Sequence, residues 1–163
     1  MRSGKVAGVG MMVALAMVFS YIESLFPVSL GVPGIKLGLS NVVTVFALYR
    51  FNPITAFGIA VVRIILSGLT FGSLSTMMYS LSGGLLSYFV MLLLKRKEDF
   101  SVYGVSIAGG VCHNLGQIVV AALVLQTGLL IYYIPFLLVA GTAAGVAIGY
   151  LSGLLLKRLK AAG

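Results

Sequence analysis

Charged residues are scarce in this chain of 163 residues, and their scarcity excludes a soluble domain. Only 9% of the residues are charged, whereas 60% are hydrophobic, and the mean hydropathy is +1.14. This composition leaves too little polar surface to cover a globule in water. We therefore expect an integral membrane protein whose surroundings are the lipid bilayer.

The residue types that catalysis and metal binding need are also few. The single cysteine, Cys112, cannot build an intramolecular disulfide framework or a cysteine-based zinc site. The single aspartate, Asp99, cannot build the two aspartate clusters that hold magnesium in prenyl transfer. The phosphate-binding pattern G-x-x-x-x-G-K-S/T is absent as well. The sequence therefore predicts a protein that is not an enzyme and that has no metal site and no cofactor.

Six apolar runs, each bounded by proline, glycine or charge, predict membrane-spanning helices. They cover residues 6–26, 37–49, 53–70, 73–94, 102–126 and 129–156. Helix is expected because backbone groups in hydrocarbon must be hydrogen-bonded within their own segment. Six spans use nearly the whole chain, so we expect an all-α, six-transmembrane-helix bundle that forms a single membrane domain over residues 1–163. The second run is short for a full crossing, and residues 27–36 read as a turn-rich loop.

The net charge of +8 is spread thinly among the apolar runs, which argues against a nucleic-acid partner. With the amino terminus inside, only Lys36 falls outside, and Arg63 falls within a span. The other nine cationic residues fall on the cytoplasmic side: Arg2, Lys5, Arg50, Lys95, Arg96, Lys97, Lys157, Arg158 and Lys160. Positive charge favours the cytoplasmic side. We therefore expect a multi-pass protein of the cell membrane with both termini in the cytoplasm.

Two stripes of small residues predict close helix packing. The last span carries a glycine at every fourth position: Gly141, Gly145, Gly149 and Gly153. The first span carries Ala16 and Ser20 on one stripe with Gly8 and Met12. Small residues let helix backbones approach closely in lipid. The partner helix belongs either to this chain or to another one, and the pattern leaves both alternatives open.

Polar residues in the outer half of the membrane predict a pocket. The residues that cost most to insert are Glu23, Asn41, Arg63, His113, Asn114 and Gln117, with Lys36 at the edge. At a rise of about 1.5 Å per residue, Arg63 and His113 lie roughly 15 to 17 Å from the inner face, and Asn41 about 6 Å from the outer one. The inner half has essentially no polar groups. We therefore expect a pocket that opens outward and is closed to the cytoplasm by apolar packing.

Helical spacing places the polar residues of two spans on common faces. These residues are Arg63, Ser67 and Thr70 on the third span, and His113 and Gln117 on the fifth. Tyr79, at helical spacing from Ser75 and Ser82, is expected to add an aromatic wall. We interpret these faces as walls of the pocket.

Arg63 determines the kind of solute expected. Its guanidinium offers a bidentate fork to a carboxylate or phosphate, and Lys36 adds a second positive charge against Glu23. We therefore expect a small anionic or polar solute. The alternative is structural: Arg63 pairs with Glu23, and the other polar groups hydrogen-bond across helices.

The chain resembles the Gx transporter family, often labelled heptaprenyl diphosphate synthase component I. The resemblance rests on Pro33-Gly-Ile-Lys-Leu-Gly-Leu-Ser-Asn41, on Arg63 in the third span, and on His113-Asn-Leu-Gly-Gln117 in the fifth. That family is similar to the substrate-binding S components of energy-coupling factor (ECF) transporters, which are six-helix membrane proteins. The resemblance implies a solute-binding subunit that works with a transmembrane coupling subunit and a pair of ATPases.

The resemblance also implies roles for particular residues. In S components, an Ala-x-x-x-Ala pattern on the first helix docks the coupling subunit; here Ala16 matches, and Ser20 replaces the second alanine. The substrate-binding residues expected from membrane depth, charge and helical spacing are Lys36, Asn41, Arg63, Ser67, Tyr79, His113, Asn114 and Gln117. The solute is then small and anionic or polar, in one version related to isoprenoids or quinones. The alternative function is a noncatalytic membrane component that associates with the catalytic subunit of a prenyl synthase or with a quinone- or flavin-linked redox system.

Overall fold

The computed structural model describes residues 2–25, 38–97 and 99–161, and its regular structure is entirely helical. The helices are α1 (Arg2–Leu25), α2 (Asn41–Arg50), α3 (Pro53–Phe71), α4 (Leu74–Lys95), α5 (Val102–Val124) and α6 (Ile134–Ala161). A 3₁₀ turn (Leu129–Tyr133) leads directly into α6. The predicted all-α class is confirmed.

Five helical segments within the described ranges are long and apolar enough to cross a membrane. They are formed by α1, by α3, by α4, by α5 and by the 3₁₀ turn together with α6. The bounds of α3, α4 and α5 lie within two residues of the predicted spans. The chain is a multi-pass membrane protein, as predicted, whereas the side on which its termini lie stays a prediction.

The second predicted span, 37–49, is wrong in length. Helix α2 has only 10 residues, so it is about 15 Å long and reaches about half-way through a bilayer core of about 30 Å. Asn41 begins this helix, about 15 Å from the Arg50 end, and so it lies at the depth of Arg63 rather than near the outer face. The short helix therefore places its amino end inside the bundle.

Side chains mark the starts of the three helices that follow α2. Asn52 accepts a hydrogen bond from Thr55 N at 2.7 Å, and Pro53 takes the first position of α3. Ser73 and Ser101 cap α4 and α5 in the same way. Helix α5 ends before Gln126, which has a left-handed φ of 50°. These local signals explain why the bounds of the three spans could be predicted from the sequence.

Glycines set the distances between α4, α5 and α6. A Cβ added at Gly83 of α4 would lie 2.5 Å from His113 O of α5. A Cβ added at Gly145 of α6 would lie 2.5 Å from Ile107 Cα of α5. The predicted glycine stripe, Gly141, Gly145, Gly149 and Gly153, therefore faces α5 of the same chain. This close packing holds α5 between its two neighbours.

The predicted inner half, expected to be purely apolar, also contains buried hydroxyl groups. Thr44, Ser87, Ser106 and Ser152 are buried and lie within about 12 Å of the predicted cytoplasmic ends of their helices. Ser152 donates a hydrogen bond to Val42 O at 3.2 Å, which links α6 to α2. The expectation of apolar packing alone is therefore wrong. The hydroxyl oxygens of Ser87 and Ser106, by contrast, have no hydrogen-bond partner among the described residues.

Candidate functional site

Arg63 lies at the centre of a buried group of polar side chains. Helix α3 positions it, and only 5% of its surface is exposed. Its Nη1 donates a hydrogen bond to Ser40 Oγ, and its Nη2 donates one to Asn41 Oδ1 at 3.3 Å. A buried charge at membrane depth needs such partners. These two bonds join α3 to the start of α2.

A tight turn at residues 38–40 leads into α2 beside Arg63. Gly38 has a φ of +81°, a left-handed conformation that glycine adopts without a steric penalty. Backbone outside a helix is tolerated at membrane depth only where its polar groups are satisfied. Glu23 Oε1, near the end of α1, accepts hydrogen bonds from Gly38 N and from Leu39 N. The Glu23 carboxylate also interacts electrostatically with Arg63.

His113 and Gln117 of α5 complete this group from the opposite side. Gln117 Nε2 lies 3.0 Å from His113 Nε2, within hydrogen-bond distance, and His113 Nδ1 lies on the side of the ring that faces Gly83. A Cβ added at Gly38 would lie 3.3 Å from His113 Nε2, so the turn packs against the ring. Arg63 is also close enough to His113 to interact with it electrostatically.

We call these six residues the polar cluster: Glu23, Ser40, Asn41, Arg63, His113 and Gln117. Three of its atoms have no hydrogen-bond partner among the described residues: Arg63 Nε, a donor, Gln117 Oε1, an acceptor, and His113 Nδ1. Gln117 has no exposed surface. Leaving such an atom buried without a partner costs about 1 to 3 kcal/mol. The polar cluster therefore offers a positive donor and an amide acceptor to a polar molecule.

The structure thus brings together Asn41, Arg63, His113 and Gln117 of the predicted site. It does not bring Asn114 to them. Asn114 Nδ2 donates to Leu137 O of α6 at 2.9 Å, so this side chain lies in the α5–α6 contact.

The other predicted site residues make their described contacts outside the polar cluster, or they lie outside the described residues. Ser67 is buried and donates to Ile64 O of its own helix at 3.2 Å. Tyr79 is buried in an apolar cluster with Ile118 and Leu137. Lys36 lies outside the described residues. The predicted aromatic wall therefore packs against apolar side chains in the described structure.

The predicted docking residues of α1 also occupy an unexpected place. Ala16 is 1% exposed and Ser20 is 2% exposed, and Ala16 packs in the core with Val42 and Ile59. A partner helix cannot dock on residues that this chain itself buries, so the docking prediction does not agree with this placement. By contrast, Gly10 and Ala14 of α1 are exposed. Small residues four apart can pack against a helix of the same chain or against a partner helix, because both kinds of neighbour are equally apolar.

Three residues have roles that the sequence did not predict. Ser40 accepts from Arg63, Gly38 forms the left-handed turn, and Glu23 accepts the backbone N–H groups of that turn. A signal was present: Ser40 and Asn41 follow two residues after Gly38, and serine and asparagine are typical of a helix start.

An apolar groove of about 460 Å³ lies elsewhere, between the end of α5 and the 3₁₀ turn. Ile118, Leu123, Leu130 and Ile134 line it, together with Gln126. In the described part of the chain, no three His, Cys, Asp or Glu side chains are grouped in a way that could hold a metal ion. The polar cluster is therefore the described site that best suits an anionic or polar solute.

A family model described as heptaprenyl diphosphate synthase component I matches residues 12–155. The chain belongs to this family. No curated protein matches the sequence. A solved structure, titled as the S component of a bacterial ECF transporter, matches with a TM-score of 0.62 and 20% sequence identity. The match covers 98% of this chain and 97% of that one, so the heptaprenyl diphosphate synthase component I family member has the fold of that S component.

Proposed function

We propose that this protein is the membrane-embedded solute-binding subunit of an ECF-type transporter. The observation that carries the proposal is Arg63, which lies buried in an S component fold with its Nε directed to no described acceptor. A buried guanidinium is costly to insert, and intramembrane charges mark solute pathways by default. The polar cluster is then the solute site.

The chemistry of the polar cluster defines the class of solute. Arg63 Nε supplies a charged donor, and Gln117 Oε1 supplies an acceptor. A small anionic or polar molecule with one acceptor group and one donor group satisfies both atoms. We include an isoprenoid- or quinone-related polar compound in this class, and the family description, which names heptaprenyl diphosphate synthase, supports the isoprenoid part.

The proposal includes partners for the transport cycle. The sequence contains no phosphate-binding loop for ATP, so the energy comes from a separate coupling subunit with a pair of ATPases. On α1, the exposed face with Gly10 and Ala14, rather than Ala16 and Ser20, is available to a partner helix.

The family description also names a synthase, and we propose that the chain has no prenyl transferase activity of its own. Prenyl transfer with a diphosphate leaving group uses magnesium held by clustered carboxylates. The chain has three acidic residues in total, and only Glu23 lies in the polar cluster. The competing function is a noncatalytic component that accompanies a prenyl synthase or a quinone- or flavin-linked redox enzyme.

Mass spectrometry of the small molecules that the purified protein retains tests the proposal. We expect wild-type protein to retain a polar or anionic compound, and Arg63→Ala protein to lose it. Leu69→Ala is the matched control, because Leu69 lies on the same helix and is 73% exposed. A wild-type protein that retains no such compound and copurifies with a prenyl synthase or redox enzyme would favour the competing function.

A further inference from the structure

The geometry points to Glu23 as the residue that positions the solute-binding side chains of the turn at 38–41. This inference rests on the proposed function only in treating that turn as part of the solute site. Glu23 accepts two hydrogen bonds from the backbone of the turn and also interacts electrostatically with Arg63. The two hydrogen bonds connect Glu23 directly to the backbone that carries Ser40 and Asn41.

Glu23 holds the turn through one carboxylate oxygen. This oxygen, Oε1, accepts hydrogen bonds from both Gly38 N and Leu39 N, the latter at 3.3 Å. Hydrogen bonds to an ionised acceptor are about twice as strong as neutral ones. Because Gly38 is the residue with the left-handed φ, these bonds hold the one part of the turn with the most conformational freedom.

The turn leads directly to two side chains that contact Arg63. The two residues that follow the anchored backbone are Ser40 and Asn41, and both accept hydrogen bonds from Arg63. Gly38 itself packs against the His113 ring and the Asn41 amide, with no room for a Cβ. A shift of the turn therefore moves the partners of Arg63 and the surface that faces His113 together.

Two substitutions at position 23 distinguish the role of the acceptor oxygen of Glu23 from the role of its charge. A glutamine at position 23 keeps an oxygen that accepts the same two N–H groups but carries no charge. An alanine at position 23 removes the acceptor as well. If Glu23 acts by anchoring the turn, the glutamine variant keeps most of the protection that the alanine variant loses.

Hydrogen–deuterium exchange of the solute-free protein in nanodiscs tests this inference. We expect Glu23→Ala to accelerate exchange at the Gly38 and Leu39 amides about tenfold, and Glu23→Gln, whose neutral oxygen still accepts both N–H groups, to accelerate it by about threefold at most. Ser24→Ala is the matched control: its Oγ donates only to Tyr21 O among the described contacts, so exchange in the turn should not change.

Unchanged exchange in Glu23→Ala, or equal acceleration in Glu23→Ala and Glu23→Gln, would overturn the inference. If the alanine variant does not fold, the glutamine variant alone decides, because an acceleration of about tenfold at the two amides of a folded Glu23→Gln protein contradicts anchoring by the acceptor oxygen. The measurement uses no solute. A failure of solute retention would therefore count against the proposed function and leave this inference standing.

Discussion

Arg63 Nη2 and Asn41 Oδ1 lie 3.3 Å apart, although 22 positions of sequence and one helix junction separate the two residues. The contact exists because α2 is only ten residues long, so its first residue lies at the same depth as the middle of α3. A second helix that crossed the whole membrane would carry Asn41 toward the outer face. The length of α2 thus decides which polar groups surround Arg63.

Gly145→Ala should destabilise the bundle. The added Cβ would lie 2.5 Å from Ile107 Cα, a backbone atom that cannot rotate away, so we expect a loss of about 1 to 3 kcal/mol in the free energy of unfolding. Gly58→Ala is the matched control, because an added Cβ there meets no described atom within 4 Å and alanine favours helix by about 1 kcal/mol. Thermal unfolding in detergent compares the two. Equal unfolding temperatures would show that α5 and α6 are less closely packed than described.

Asn114→Ala should affect stability more than solute binding. The substitution removes the hydrogen bond to Leu137 O between α5 and α6, which is worth about 1 kcal/mol in a membrane bundle. Since Asn114 makes no described hydrogen bond to the polar cluster, the affinity for the retained solute should stay within about threefold of wild type. Unfolding and binding measurements on one preparation check both effects. A large loss of affinity at unchanged stability would contradict this prediction and show that Asn114 is part of the solute site.

Of two substitutions on α1, one should destabilise the fold and the other should leave it unchanged. Ala16→Leu enlarges a side chain that is 1% exposed, so we expect about 1 to 3 kcal/mol of destabilisation and a smaller monodisperse fraction on size exclusion. Gly10→Leu adds a side chain where no described atom lies within 4 Å, so the fold should be unaffected. A stable Ala16→Leu protein would mean that this face of α1 is available to a partner after all.

Cysteine labelling should place the two ends of the bundle on opposite sides of the membrane. In a chain with Cys112→Ala, we expect a membrane-impermeant maleimide added to intact cells to label Tyr132→Cys. The Tyr132 side chain of the wild type is 83% exposed. Lys97→Cys should react only after the cells are opened, because positive charge favours the cytoplasmic side. The reverse pattern would contradict the predicted orientation of the termini.

The sequence predicted the helices whose ends carry local signals and the polar residues that share a helical face. Asn52 with Pro53, Ser73 and Ser101 mark three starts, and these helices lie within two residues of the predicted spans. His113 and Gln117 are four residues apart, and the structure places them in contact.

The sequence could not predict contacts that depend on rotation or on which neighbour fills a face. Asn114 follows His113 directly, yet successive helix residues point about 100° apart, so Asn114 faces α6 instead. Hydropathy could not reveal where α2 begins, because residues 37–39 are as apolar as a span. The small residues on α1 could not show whether their face packs inside this chain or against a partner, since lipid and protein interior are similarly apolar.

Equilibrium binding of the compound identified by mass spectrometry to wild-type, Arg63→Ala and Asn41→Ala protein tests the central claim most directly. A buried hydrogen bond to a charged group is worth about 1.5 to 3 kcal/mol, so loss of the guanidinium should weaken affinity roughly 10- to 100-fold. Loss of the Asn41 amide, which orients the guanidinium, should weaken it by a smaller factor, and Leu69→Ala should bind as wild type does. Wild-type affinity in both folded variants, Arg63→Ala and Asn41→Ala, would contradict a solute site in the polar cluster.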